Sequence, residues 1–200
     1  MKRSSSLVIL FTAMLLSSAV SAAERMRDVI VQMPDSVLQL LTKVNREDCV
    51  DFVEAGMTAS VTNRFGGVTE LAALTDDYAL WHYTTSSEVE MRLLPVSDST
   101  NVICLVHRVS LPCADSSVHF YDSSWNPLRS VDCLAESPLP VEDDRLMMTR
   151  IYRLSPDGDT LTLDVVSERY TAPDGDAALR ADTTTVRFSW NGTQFVAEER

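Results

Sequence analysis

VICLVHRV, residues 102–109, is apolar at both alternating sets of positions. A strand of that kind is covered on both faces and lies in the middle of a sheet. Just before it, residues 87–93 (SEVEMRL) alternate: Val89, Met91 and Leu93 point one way, and Glu88, Glu90 and Arg92 the other. That pattern predicts a neighbouring strand with one face in water. Residues 117–121 follow as the hairpin partner of the central stretch. Upstream, Gly66-Gly67 separates residues 58–63 from 68–74, and Thr75-Asp76-Asp77 turns the chain into residues 78–84. Short connections keep successive strands adjacent, so the expected arrangement is an antiparallel meander.

Strand grammar resumes near the C-terminus. Residues 146–154 and 160–170 flank Pro156-Asp157-Gly158-Asp159, and Leu161, Leu163 and Val165 alternate with Thr160, Thr162 and Asp164. Asn191-Gly192 suits a two-residue type I′ turn, which sets Phe188 opposite Phe195 and Val186 opposite Ala197. Between the two strand regions, Pro127, Pro138, Pro140 and the acidic run Glu142-Asp143-Asp144 mark residues 134–145 as a long loop or linker. It divides candidate sub-lobes 23–133 and 146–200. The second is short for an independent core, which favours one α+β domain with a continuous sheet.

Ahead of the strands the period becomes helical. Pro34 fits a first helical turn, Asp35 complements its N-terminus, and Val37, Leu38, Leu40, Leu41 and Val44 share a face. A second helix is expected from Asn45, with Cys49, Val50, Phe52 and Val53 as its buried stripe and Gly56 as its stop. The predicted fold class is therefore α+β: two short N-terminal helices packed on a large antiparallel meander β-sheet.

The chain opens with an export signal. Lys2 and Arg3 precede an apolar core at residues 7–16 (LVILFTAMLL), and Val20-Ser21-Ala22 offers small residues for cleavage after Ala22. The core is too short for a membrane span of about 20 residues. No cysteine stands at the first mature position, which argues against a lipoprotein and against membrane anchoring once residues 1–22 are removed. The expected address is the periplasm or the cell exterior. The chain carries 17 basic and 29 acidic residues, a net charge of −12, and losing Lys2 and Arg3 makes it more negative still. Such a surface repels phosphate backbones and argues against nucleic acid as a partner.

An oxidising compartment admits disulfides among Cys49, Cys104, Cys113 and Cys133. Cys104 sits in the central strand and Cys49 on a helix face, so both read as core thiols. Cys113 and Cys133 flank a hairpin and are the disulfide candidates. His107 and His119 fall near each other across two strands and are weak candidates for a metal pair, provided the register keeps them on one face. Trp81 and Tyr83 share a strand face and are a candidate binding surface for a protein or glycan. Asp157-Gly158-Asp159 and Asp174-Gly175-Asp176 lack the ligand series of a calcium loop and read as turns. No nucleophile elbow or phosphate loop is present in the sequence. These patterns name no catalytic residue and call for no cofactor.

Met33-Pro34-Asp35-Ser36, Thr75-Asp76-Asp77-Tyr78, Glu90-Met91-Arg92-Leu93-Leu94-Pro95, and Phe120-Tyr121-Asp122 followed by Trp125 occur together. In this the chain resembles a family of exported Bacteroidales proteins known only as a domain of unknown function, over roughly Met26 to Phe195. The resemblance implies a Gram-negative envelope and carries over no catalytic residue. It also implies O-glycosylation at short Asp-Ser/Thr triplets, with Ser99 and Thr183 as the better candidates. The leading functional expectation is a non-catalytic binding or interaction module, with an exported hydrolase and a structural envelope component as the alternatives.

Overall fold

The computed structural model describes residues 24–111, 113–136, 147–171 and 178–198. The export signal with Ala22, Asp174-Gly175-Asp176 and most of the expected linker lie outside them. The protein is mostly antiparallel β-sheet with a few short helices. Seven strands follow one another in chain order: β1 (Ser60–Thr62), β2 (Val68–Leu74), β3 (Tyr78–Thr84), β4 (Ser87–Ser97), β5 (Thr100–Val109), β6 (Asp115–Tyr121) and β7 (Pro127–Leu128). Every neighbouring pair is antiparallel. The expected meander is present, with the 102–109 stretch inside β5 and buried through its centre.

The helices lie on one face of this sheet. α1 (Met26–Gln32) and α2 (Lys43–Glu54) bury Met26, Val29, Ile30, Cys49 and Val50 against Ala79, Trp81, Val89, Met91, Ile103 and Leu105. The first helix differs from the expectation: it precedes Pro34, and residues 34–41 form turns. Pro34 lacks the N–H that would continue α1 and disfavours helical backbone at Met33, whose ψ is 131°. The second helix begins earlier than expected, because Thr42 is the better cap. Its hydroxyl accepts from Asn45 N–H at 3.1 Å, and Asn45 Oδ1 accepts from Thr42 N–H at 3.1 Å.

The other face of the sheet is covered rather than wet. Beyond a short helix, α3 (Ser130–Cys133), the chain forms β8 (Met147–Leu154), β9 (Thr160–Thr171), β10 (Ala178–Trp190) and β11 (Phe195–Ala197). These make a second antiparallel sheet in the order β11-β10-β9-β8. The single continuous sheet expected from the sequence is thus two sheets. They share a core in which Tyr78, Leu94, Cys104, Val106 and Phe120 meet Leu154, Leu161, Leu163, Phe188 and Phe195. The central sheet is the middle of three layers.

Glu90 and Arg92, expected in water, are therefore only 6% and 4% exposed. Each is fully engaged, as burial of charge requires. Glu90 accepts from the backbone N–H of Leu154 at 2.7 Å and pairs with Arg108 at 2.8 Å. Arg92 donates to the carbonyls of Ser155 and Pro156 and pairs with Asp77 and Asp159. Ser116 on β6 adds a third fastening: its hydroxyl donates to Arg150 carbonyl and accepts from Tyr152 N–H, both at 2.8 Å. Ser116 and Glu90 thereby engage outward backbone groups of β8 at an edge of the second sheet.

The last hairpin turns one residue later than expected. Trp190 pairs with Phe195 and Phe188 with Ala197. Asn191 folds back, its Oδ1 accepting from Thr193 N–H at 3.0 Å and Gln194 N–H at 2.9 Å, while Gly192 takes a φ of +97°. This side-chain turn displaces the type I′ arrangement. The cross-strand aromatic contact becomes Trp190 with Phe195, ring centroids 5.3 Å apart.

Candidate functional site

The helix-side face of the central sheet opens, toward its β5–β6 end, into a groove of about 760 Å³. Its floor is Val89, Leu105 and His107; its roof is the turn segment 34–40; Tyr121, Trp125 and Pro127 close one side and Phe65 stands at the rim. The volume falls within the range of small-ligand sites.

Arg46 builds the roof. It is 1% exposed, and it donates to the carbonyls of Ile30, Leu41 and Met33 while pairing with Asp35 at 2.9 Å. Asp35 also pairs with Arg64. The Arg46 and Arg64 guanidinium groups hold the Asp35 carboxyl below its usual range. One buried side chain thus collects carbonyls from the end of α1 and from both ends of the turn segment. The roof is joined to the floor by Tyr83, whose hydroxyl accepts from Leu40 N–H at 2.8 Å. Leu40 carbonyl accepts from Arg64 N–H at 2.9 Å.

Trp125 is set by a local turn. Asp122 Oδ1 accepts from the N–H groups of Ser124 and Asn126, and Asn126 Nδ2 donates to Oδ2 at 2.9 Å. These bonds hold the Asp122 carboxyl below its ordinary range. Trp125 adopts a left-handed backbone, φ 63°, unusual for a bulky residue. Its indole N–H donates to Val29 carbonyl at 3.2 Å, and its ring packs 5.2 Å from that of Tyr121.

The register puts His107 opposite Ser117 and Leu105 opposite His119, so the two histidines are diagonal neighbours on the groove face. His119 is exposed and lies 3.1 Å from Ser117 Oγ. His107 packs edge-on against Tyr83, centroids 5.8 Å apart. Its Nε2 is buried and has no hydrogen-bond partner among the described residues. Desolvation, with a smaller contribution from His119, holds the His107 pKa below its usual 6.5. Among the described residues no carboxylate or thiol lines the groove. Among the described residues no group of three or more His, Cys, Asp or Glu is arranged to hold a metal ion.

Trp81 and Tyr83 do share a strand face, but it is the face under the helices. Trp81 is fully buried and Tyr83 nearly so, which corrects their reading as a surface platform; Tyr83 contributes to the groove only as a wall. The four cysteines are free thiols in the structure. Cys113 is exposed before β6 begins, whereas Cys133 is buried beyond β7, which pairs with the far end of β6. A seven-residue strand between them spans roughly 20 Å, and a disulfide needs Cα atoms within about 7 Å. The expected Cys113–Cys133 pairing is therefore absent. Burial pushes the Cys49 thiol up to about 11 and raises those of Cys104 and Cys133. Ser99 is exposed in the turn between β4 and β5; Thr183 is exposed but lies within β10, paired with Val166, and not in the expected loop.

Sequence reading missed Arg46, Phe65, Tyr121 and Trp125 as parts of one site. The signal for Trp125 is present in Asp122-Ser123-Ser124-Trp125-Asn126, where an Asp two residues ahead of a turn is a hydrogen-bond acceptor for it.

Fold and groove define a β-sandwich topped by helices, with a ligand-sized groove, free of carboxylates among the described residues, under the turn segment beside its helical layer. The chain belongs to a protein family of unknown function (DUF3256), whose model matches residues 18–195. A search of curated proteins gives no match. Among solved structures, a domain of an uncharacterized protein from Porphyromonas gingivalis W83 is similar, with a TM-score of 0.64 and 24% identity, covering 90% of this chain and 100% of that one. That likeness establishes the shared fold.

Proposed function

We propose that the protein is an exported, non-catalytic binding module of the Gram-negative envelope, working in the periplasm or at the cell exterior on an envelope protein or glycan. The groove is its recognition site. The carrying observation is the combination of a preformed aromatic groove with one buried polar atom, His107 Nε2, that no described residue engages. Buried polar groups are almost always satisfied, so such an atom is a natural partner for a bound molecule. The address rests on the N-terminal signal pattern and on the resemblance to exported proteins noted from the sequence. No helix among the described residues is long and apolar enough to cross a membrane.

A fragment screen by two-dimensional NMR tests this reading. Hits that shift Leu38, Tyr83, Leu105 and Tyr121 together, and vanish in Leu38→Arg, are the expected result. Hydrolysis of any member of a chromogenic ester, peptide or glycoside panel, lost in His107→Phe, overturns the non-catalytic assignment. Fractionation of the native host tests the address, which fails if the protein is recovered from cytoplasm with Met1 intact.

A further inference from the structure

We infer that the groove takes a neutral saccharide. The inference rests on the groove being a binding site and goes on to name its ligand. In a chain with a net charge of −12, the described residues that line the groove include no Asp, Glu, Lys or Arg. Apart from the imidazoles of His107 and His119, no side chain of the described lining could compensate an anion, and no carboxylate there repays the desolvation of a cation. The occupant is uncharged.

The polar groups that remain are suited to hydroxyls. His107 Nε2 is either an N–H donor or a lone-pair acceptor, depending on tautomer. A hydroxyl serves both, because it donates and accepts. Tyr121 hydroxyl makes no hydrogen bond among the described residues, and the side chains of Gln39, Ser36 and Ser86 border the same space. Trp125 has its indole N–H occupied by Val29 carbonyl, so what it offers a ligand is ring surface, whereas Tyr83 hydroxyl accepts from Leu40 N–H and keeps its proton to donate. Rings for the apolar C–H faces and scattered hydroxyl partners for the rim are what a pyranose requires.

A peptide fits less well. An extended peptide docks by adding to a row of free backbone groups. Here Leu40 has both its N–H and its carbonyl engaged, and Pro34 and Pro127, at the groove's margin, have no N–H at all.

The test titrates the ¹⁵N-labelled protein with cellobiose, lactose and chitobiose as neutral probes, digalacturonic acid as the charged analogue, and acetyl-Leu-Phe-amide as the peptide. At least one neutral disaccharide is expected to shift groove resonances, digalacturonic acid to bind more weakly, and His107→Phe to weaken the sugar about tenfold, the worth of one hydrogen bond. Phe keeps the ring contact with Tyr83, and the variant's spectrum reports whether it is folded; Tyr121→Phe repeats the measurement by removing one hydroxyl and leaving the half-buried ring in place. Shifts from the peptide and none from the sugars overturn the saccharide assignment and leave the groove as a site. No groove shift from any probe overturns both. Unchanged sugar affinity in both variants overturns the role given to these two groups, and with it the inference.

Discussion

Arg46 carries more of the site than its place in the sequence suggests. It stands in Asn45-Arg46-Glu47-Asp48, a charged run that any helical reading assigns to solvent, yet its guanidinium lies under the roof of the groove with four partners. Substituting Arg46→Met leaves the carbonyls of Met33 and Leu41 without that donor, and is expected to cost about 1–3 kcal/mol in urea unfolding. His107 makes a prediction in pH. Its folded pKa lies below the unfolded value of 6.5, so the unfolded chain binds a proton that the folded one resists. Its contribution is therefore present above pH 6.5 and lost as pH falls toward and through the folded value. The groove-lining titratable groups that share its surroundings are His119, Tyr83 and Tyr121, and neither tyrosine titrates in that window. The drop in Tm between pH 7 and pH 5 should be smaller in His107→Phe than in the wild type. Thiol chemistry separates the cysteines: Cys113 is exposed and the other three are buried. Ellman's reagent should label about one thiol per native chain quickly and the remainder only on unfolding.

Among the elements, those read best from sequence depend on local grammar. The first six strands of the meander, the doubly covered stretch inside β5, the body of α2 and the β8–β9 hairpin are where alternation and turn residues placed them, whereas β7 forms at Pro127, which reads as a loop residue. What escaped was decided by tertiary partners. Alternation in β4 places Glu90 and Arg92 opposite Val89 and Met91, and sequence alone cannot reveal that the polar side meets another sheet. Likewise, the periodic residues of 34–44 look helical, but Pro34 and the Thr42 cap confine helices to either side. The final hairpin slipped by one residue because the Asn191 side chain made its own turn. Arg92 is the element-scale test. It ties β4 to the β8–β9 connection through two carbonyls and two carboxylates. Arg92→Met removes these bonds while leaving the partly exposed Asp77 and Asp159 to water, and should lower stability by about 1–3 kcal/mol by urea midpoint. Removing Glu47, whose pairing with Lys43 is exposed, should change it by about 0.5 kcal/mol or less.

At the scale of the whole molecule, the two sheets are inseparable because each supplies half of one apolar core. A fragment ending at residue 136 would expose Leu94, Val106 and Phe120 to water, so it should bind a hydrophobic dye and aggregate where the full chain does neither. The groove was not foreseeable because its parts come from turns 34–40, strands β3 to β6 and the Trp125 corner, which only the assembled layers bring together. That assembly also has a mechanical consequence. The floor of the groove belongs to a sheet gripped from both sides, whereas the roof is a thin run of turns fastened at a few points, by Arg46, Arg64 and the Tyr83 hydroxyl. A ligand entering between them meets an anvil below and a spring above. Accommodation should therefore be written almost entirely in the spring: amide exchange should slow across residues 35–41 when the groove is filled, while the amides of β5, already locked, keep their rates.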